Sequence, residues 1–326
     1  QNAWIELMLI PARWLARRLP GAVIPSSDRE FRIEESRQHD PTLVWPPAGA
    51  KLPPGWDAFP SKGHRQTFFL NHVRGSVRLR QAALRVGLAL ATLTQVSMMA
   101  WFVDKRPVGD IFGSGFVLFD LGVGFIVGSF IVFCLFVAEV AMGWLAIIGY
   151  CETVVPEESL VINLLWDVVF HLGVSVNEEV AVRGWMLFNF AHASVDHLGV
   201  STPVGLALAV ILQSLFFSYQ HIGSPGATHV GLMNLVVGGV AGALNVILSG
   251  GLSFALGWHF GWNIFMGHLL GMSTSGIPMS AKLVSVVPHP GKAYYHGGRF
   301  GPEGSPIASA AYVLGLVLLR LVYPSA

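Results

Sequence analysis

The stretch FVLFDLGVGFIVGSFIVFCLFVA, residues 116–138, decides the fold. Its only charged residue is Asp120, and an apolar continuation reaches towards residue 150. A helix needs about 20 predominantly apolar residues to cross the hydrocarbon core of a bilayer. The stretch is long enough, so it predicts a membrane-spanning helix.

The composition extends this prediction to the whole chain. Of the 326 residues, 53% are hydrophobic and 12% are charged, whereas charged residues make up about 25% of a soluble domain. The net charge of +1 gives no support for nucleic-acid binding. Cys134 and Cys151 lie in apolar surroundings and are interpreted as packing residues.

Further apolar stretches follow along the chain and predict about eight spans. They cover residues 86–103, 116–138, 159–176, 179–197, 203–221, 230–249, 252–271 and 307–323. The third and fourth are separated by very few residues, so one broken helix is the alternative there. We therefore expect an all-α polytopic membrane protein with about eight transmembrane helices, in residues 81–326, and a polar cavity inside the bundle.

Residues 1–80 differ from this bundle and predict an interfacial and linker region. Residues 2–19 fit an interfacial amphipathic helix or, equally, a helix packed on the protein. Residues 41–60 contain six prolines, as an extended linker does. From residue 62 to residue 85 the chain has six lysines or arginines and no acidic residue. The positive-inside rule then places this end in the cytoplasm.

Ionisable residues interrupt the apolar stretches in the segment Asn177-Glu-Glu-Val-Ala-Val-Arg-Gly184. A charged side chain near the middle of a bilayer costs about 2.5–3.5 kcal/mol on insertion scales, so such residues are candidates for a functional site. Glu179 and Arg183 are four residues apart, which favours an ion pair on one helix face. Glu178 points about 100° away on a helix and is free to face a cavity.

Two further polar pairs have the same helical spacing in other spans. They are Phe217 with His221 and His259 with Asn263. A carboxylate beside an imidazole can activate water as a general base, and a second histidine with an asparagine amide can stabilise an oxyanion. Each pair alone is most simply a packing or surface feature, but three in separate spans predict a site that hydrolyses an amide bond.

The motifs Glu178-Glu179-x-x-x-Arg183-Gly184, Phe217-x-x-x-His221 and His259-x-x-x-Asn263 resemble those of the CPBP family. That family comprises the type II CAAX prenyl endopeptidases and the bacteriocin-processing or immunity-associated membrane proteases. The resemblance runs over residues 159–271. The loop Gly297–Ser305 is also similar to one that bacterial members carry before their last span.

The resemblance implies a role for each matching residue. Glu178 and His221 would hold and activate the attacking water, and His259 and Asn263 would stabilise the oxyanion. Glu179 and Arg183 would form a supporting pair, and Phe217 would pack beside His221. No metal cofactor is implied, although zinc held by two histidines and a glutamate is the lesser alternative.

The expected substrate is a membrane-associated peptide or protein, and the expected location is the bacterial inner membrane, with the oligomeric state left open. One alternative is a non-proteolytic binder, such as an immunity or scaffold protein on the same fold; the completeness of the polar set argues against it. The other is a proton-coupled transporter, which the lack of an internal repeat disfavours.

A bundle of eight spans places the candidate catalytic residues at different depths in the membrane. With a cytoplasmic N-terminus, Glu178 and His221 fall near the outer ends of their helices. His259 then lies only about 10 Å from the opposite face, at 1.5 Å per residue. Catalytic groups must meet at one depth, so at least one predicted boundary or direction is wrong, and residues 159–197 are the most suspect.

Overall fold

A computed structural model describes residues 75–113, 115–153, 158–277, 279 and 281–324. The helices, in chain order, are α1 (Gly75–Met98), α2 (Leu118–Ala141), α3 (Leu160–Glu178), α4 (Leu187–Leu198), α5 (Thr202–Tyr219), α6 (His229–Ser249), α7 (Leu252–Ile264), α8 (Ala293–His296) and α9 (Ala308–Val322). Two strands, β1 (Leu145–Thr153) and β2 (Ala281–Pro288), pair in antiparallel fashion.

Within these ranges, five helical segments are long and apolar enough to cross a membrane. They are Leu79–Val103, Leu118–Ala141, Leu160–Leu198, Thr202–Tyr219 and His229–Ser249. Helix α9 is apolar but shorter, and α7 continues through a π-helical turn, Phe265–Leu269. The all-α polytopic class is confirmed. The predicted N-terminal region lies outside the described residues, except for residues 75–80, where α1 already begins.

The predicted third and fourth spans are one continuous helix of 39 residues. The π-helical segment Glu179–Met186 joins α3 to α4 without a break. Ser159 caps the start by accepting a hydrogen bond from the Ile162 amide, and Gly199, with a φ of 66°, ends the helix in the left-handed conformation. Gly173 is a packing residue here, because a Cβ atom would lie 2.8 Å from the backbone of Arg85 on α1.

Contacts between helices fix their relative directions. Gly124 and Gly128 on α2 approach Phe254 and Trp258 on α7, so these two helices run parallel. If α3 and α4 cross the membrane together as one pass, α2 is the second pass and α7 is the sixth. Even-numbered passes all run in the same direction, so this count agrees with the parallel packing. Eight spans would make α7 the seventh pass and antiparallel to α2, so the count of eight is not supported over the described ranges.

This correction removes the part of the conflict over depth that concerns Glu178, which now lies at the middle of one long helix and not at the end of a span. Helices α5 and α7 run in the same direction with either count, so their C-terminal ends lie on the same side of the bundle. His221 follows the end of α5, and Asn263 lies near the end of α7. The polar residues of these two helices can therefore meet.

The apolar continuation of the second span is not helical. Helix α2 ends at Ala141, and after a turn at Gly143, which has a φ of 62°, the chain enters β1. Strand β1 pairs with β2 from the region before α9, and the Trp144 ring stacks on Tyr295 with the ring centres 5.2 Å apart. The pair ties this end of α2 to the loops between α7 and α9.

The close contact of α2 with α7 predicts a stability difference between two glycine variants. Gly257→Ala should destabilise the protein by about 1–3 kcal/mol, because the new Cβ would lie 2.0 Å from the carbonyl oxygen of Leu121. Gly122→Ala on the exposed face of α2 is the matched control, since nothing lies within 4 Å of its Cβ. Thermal unfolding in detergent measures both, and equal melting temperatures would contradict the contact.

Candidate active site

A cavity of about 270 Å³ lies inside the bundle. Its wall contains all seven side chains that the sequence singles out: Glu178, Glu179, Arg183, Phe217, His221, His259 and Asn263. They come from the centre of the long α3–α4 helix, from α5 and the turn that follows it, and from α7. The three separate motifs therefore meet at one place.

Glu179 connects two of these elements. Its Oε1 atom accepts a hydrogen bond from Nη1 of Arg183 at 3.1 Å and lies 2.8 Å from Nδ1 of His259. The Glu179 and Arg183 side chains are buried. The ion pair predicted from their spacing is present, and the same carboxylate also attaches the π-helical segment to α7.

The Arg183 guanidinium packs between an aromatic ring on one side and the backbone of a glycine on another. Its guanidinium lies over the Phe217 ring, 4.3 Å from the ring centre, in the geometry of a cation–π contact. On another side, a Cβ atom at Gly242 of α6 would lie 2.7 Å from Nη2 of Arg183, so glycine makes room for the guanidinium. The Phe217 ring also packs on His221, with the ring centres 5.0 Å apart.

Glu178 is positioned differently from its neighbour. Its Oε2 atom lies 3.9 Å from Nε2 of His259, which is too long for a direct hydrogen bond and leaves room for a bridging water. Within the described part of the chain, Glu178 makes no ion pair with an arginine or lysine. Its carboxylate is therefore available to a molecule in the cavity.

Hydrogen bonds define which nitrogen of each histidine is free. Nδ1 of His221 lies 2.9 Å from the carbonyl oxygen of Phe217. Because a carbonyl only accepts, Nδ1 carries the proton, and Nε2 is an acceptor in the neutral ring. His259 has the same tautomer, since its Nδ1 donates to the Glu179 carboxylate.

The wall also contains polar residues that the motif spacing did not reveal, among them Arg85, Asn245, Ser275 and Glu303. The buried Glu303 carboxylate accepts hydrogen bonds from the Ser275 amide at 2.8 Å, from its hydroxyl at 2.6 Å, and from Nε1 of Trp262 at 3.2 Å. It thereby fixes the loop after α7 against α7 itself. These partners are far apart in sequence, so no local pattern could indicate them.

Other ionisable residues have different surroundings. His171 lines the cavity and packs edge-on against His268, with the ring centres 5.2 Å apart. Nδ1 of His268 lies 3.3 Å from Asp167 and 3.1 Å from the carbonyl oxygen of Ala281, which ties β2 to the bundle. Glu139 is buried outside the cavity wall, and its carboxylate oxygens have no hydrogen-bond partner among the described residues.

No group of three His, Cys, Asp or Glu side chains in the described ranges has an arrangement that could hold a metal ion. Glu178, His221 and His259 face the same cavity. Glu179 binds Nδ1 of His259 and a backbone carbonyl binds Nδ1 of His221, so Nε2 of each ring remains free. Histidines that bind a metal commonly have their other ring nitrogen bonded in this way, so the zinc alternative is kept.

The site lies within a segment that matches a known family. Residues 160–265 match the family model of the Type II CAAX prenyl endopeptidase Rce1-like proteins. The resemblance to the CAAX protease family is confirmed. The match covers about a third of the chain and includes all three motifs, and it supports in general a membrane-embedded CAAX-type endopeptidase that acts on a membrane-associated peptide. No curated protein and no solved structure matches the chain.

The buried Glu179–Arg183 pair predicts a non-additive effect on stability. Arg183→Met should cost about 3–5 kcal/mol, because it leaves the Glu179 carboxylate buried without its cation. Adding Glu179→Gln to that variant should recover part of the loss. Unfolding in detergent measures the cycle. Arg320→Met, at an exposed position of α9, is the control and should change stability by less than about 0.5 kcal/mol. Fully additive losses in the double variant would argue against the pair.

Proposed function

We propose that this protein is an intramembrane endopeptidase, in which a water molecule activated by Glu178 and His221 attacks a peptide bond of a membrane-associated substrate. The observation that supports this is the convergence of two glutamates on one long helix and two histidines from other parts of the bundle on one cavity. The general function agrees with the family match. The resemblance of the loop Gly297–Ser305 to bacterial members suggests the bacterial plasma membrane as the location.

In this proposal the two glutamates have separate tasks. Glu179 is engaged by Arg183 and His259, so it holds the site together. Glu178 accepts the proton of the attacking water and later delivers it to the leaving amine, as general base and then general acid. Nε2 of His221, left free by the bond of Nδ1 to Phe217, accepts a hydrogen bond from the other O–H of that water and orients it.

The oxyanion of the tetrahedral intermediate is assigned to Asn263 and His259. The Asn263 amide donates in every protonation state of the site. His259 uses Nδ1 for Glu179, so Nε2 can donate only when the ring is an imidazolium. Preorganised donors at such a position are worth about 10²–10³-fold in rate each.

A non-proteolytic binder on the same fold would need a cavity but no general base. Glu178 lies 3.9 Å from the His259 ring and faces the same cavity as His221. It has no arginine within ion-pair distance among the described residues, and this position favours the enzyme. A proton-coupled transporter would use the same groups as a relay, and transport that depends on Glu178 without peptide cleavage would support it.

The Glu178→Gln variant tests the proposal most directly. Purified protein in liposomes is incubated with a panel of membrane-anchored peptides, and cleavage is followed by mass spectrometry. Loss of the general base should lower the rate by about 10²–10⁴-fold, and His221→Ala should act in the same direction. Asp196→Asn and His192→Ala, at exposed positions of α4, are matched controls and should cleave like wild type. A folded Glu178→Gln protein that cleaves at the wild-type rate would refute the assignment.

The absence of a metal requirement is a separate prediction. We expect cleavage to continue unchanged in the presence of a strong chelator, because the proposed steps use only side chains of the protein. Activity that disappears with chelator and returns with added zinc would instead favour the zinc alternative. Glu178→Gln should be inactive in both the metal-free and the zinc mechanism, so only the effect of the chelator distinguishes the two mechanisms.

A further inference from the structure

Tyr312 of α9 contributes a hydroxyl group to the wall of the active-site cavity. The side chain is only 6% exposed, and it lines the cavity together with Gly238 of α6 and Trp262 of α7. Its ring stacks on the Trp262 indole, with the ring centres 4.8 Å apart and the ring planes 17° from parallel. This contact fixes the direction in which the hydroxyl points.

The backbone of α6 makes room for the end of the phenol. A Cβ atom at Gly238 would lie 2.9 Å from Cζ of Tyr312 and 3.2 Å from its hydroxyl oxygen. Gly242, four residues further along the same helix face, makes room for the Arg183 guanidinium in the same way. The hydroxyl and the guanidinium therefore contact α6 at positions about one helical turn apart, which is about 5.4 Å.

The Tyr312 hydroxyl lacks a hydrogen-bond partner in the part of the chain that the structure describes, and its oxygen remains accessible. The neighbouring polar groups are paired, since Glu303 accepts hydrogen bonds from Trp262 and from Ser275. A buried tyrosine hydroxyl usually has a partner, because an unpaired polar group in an apolar interior is costly. The hydroxyl is therefore available to a molecule that enters the cavity.

The surroundings of the hydroxyl favour a neutral acceptor over an anion. The indole that stacks on Tyr312 also donates to the Glu303 carboxylate, so a second anion on this side of the cavity would be repelled. An amide carbonyl carries no net charge, and every residue of a peptide has one. A hydrogen bond from Tyr312 to such a carbonyl would hold a peptide without regard to the identity of its side chains.

We propose that the Tyr312 hydroxyl donates a hydrogen bond to a backbone carbonyl of the bound peptide, at a residue close to the bond that is cleaved. Trp262, which positions Tyr312, directly precedes Asn263, the residue assigned to the oxyanion. Consecutive side chains on a helix point about 100° apart, so Tyr312 and Asn263 serve different groups of the substrate. An extended peptide advances about 3.3 Å per residue, so a separation of one helical turn corresponds to one or two residues. This inference rests on the proposed endopeptidase function, which supplies the peptide.

Tyr312→Phe tests the hydrogen bond, because it removes the hydroxyl and keeps the ring that stacks on Trp262. In the cleavage assay, KM should rise by about 2–10-fold, as expected for one neutral hydrogen bond, with kcat nearly unchanged. Tyr150→Phe, at a position of β1 that is 67% exposed, is the matched control and should cleave like wild type. An unchanged KM in Tyr312→Phe would overturn the inference. A lower kcat at unchanged KM would place the hydroxyl in the chemical step and would also overturn it.

A binding measurement separates this inference from the proposed function. The probe is the peptide of the panel that binds wild type most tightly, labelled with a fluorophore, and its anisotropy is followed with purified protein in detergent. Binding that is about 2–10-fold weaker in Tyr312→Phe supports the contact even if no peptide is cleaved, and in that case only the endopeptidase proposal fails. Equal binding by both proteins overturns the inference alone, and the lack of any peptide binding by wild type overturns both. Tyr312→Phe should also melt like wild type, because its hydroxyl has no protein partner to lose; a lower melting temperature would indicate a structural role and overturn the inference.

Changes in the peptide backbone identify the carbonyl that is bound. In a set of probes, each amide is replaced in turn by a trans alkene, which keeps the shape of the chain and lacks the carbonyl. One replacement should weaken binding to wild type and cause no further loss in Tyr312→Phe, because the two changes remove the same hydrogen bond. Additive losses at every position would overturn the inference. An ester at that position keeps the carbonyl and lacks the N–H, so a loss as large as that of the alkene would assign the contact to the N–H and overturn the donor role of Tyr312.

Discussion

The carboxylate of Glu179 is the group on which the arrangement of the site depends. It accepts from Arg183 at 3.1 Å and binds His259 at 2.8 Å, so one buried anion offsets one buried cation and also sets the orientation of an imidazole. Neither charge would be tolerated alone inside the bundle. Because Asn263 follows His259 by one helical turn, fixing that ring also directs the amide to the same cavity, and Glu178 is left free.

A helix with such a polar face cannot lie against lipid, and the packing around α7 shows how it is enclosed. Gly257 and Gly261 bring α7 within backbone contact of α2, and Gly315 lets α9 pack on the Trp258 ring. Trp262 stacks on Tyr312 at 4.8 Å. Small residues allow this close approach where no hydrophobic effect drives helices together. The polar residues of α7 can therefore face the cavity because the neighbouring helices shield α7 from lipid.

The spacing of residues along the sequence was enough to identify the three motifs. The features that the sequence did not predict depend on contacts between helices. The pairs four residues apart are read directly from the sequence because helical geometry alone places them together. The sequence separated the third and fourth spans at about residues 173–177, whereas the structure has one continuous helix there. In the fold Gly173 makes room for α1 and Asn177 hydrogen-bonds Thr92, so neighbours satisfy both. Arg85 and Glu303 reach the cavity from regions outside the three motifs.

The size and lining of the cavity restrict how much of a substrate can enter. Pockets for drug-sized ligands measure about 300–1,000 Å³, and this cavity of about 270 Å³ lies just below that range. Its wall combines charged and amide groups with aromatic and aliphatic side chains, and the polar groups suit a peptide backbone with its obligatory hydrogen bonds. A lipid-modified substrate would therefore place only a short stretch of peptide inside, while its apolar anchor stays in the bilayer. The proposed enzyme would then recognise the peptide by contacts in the cavity, whereas the anchor would be recognised only by its position in the membrane.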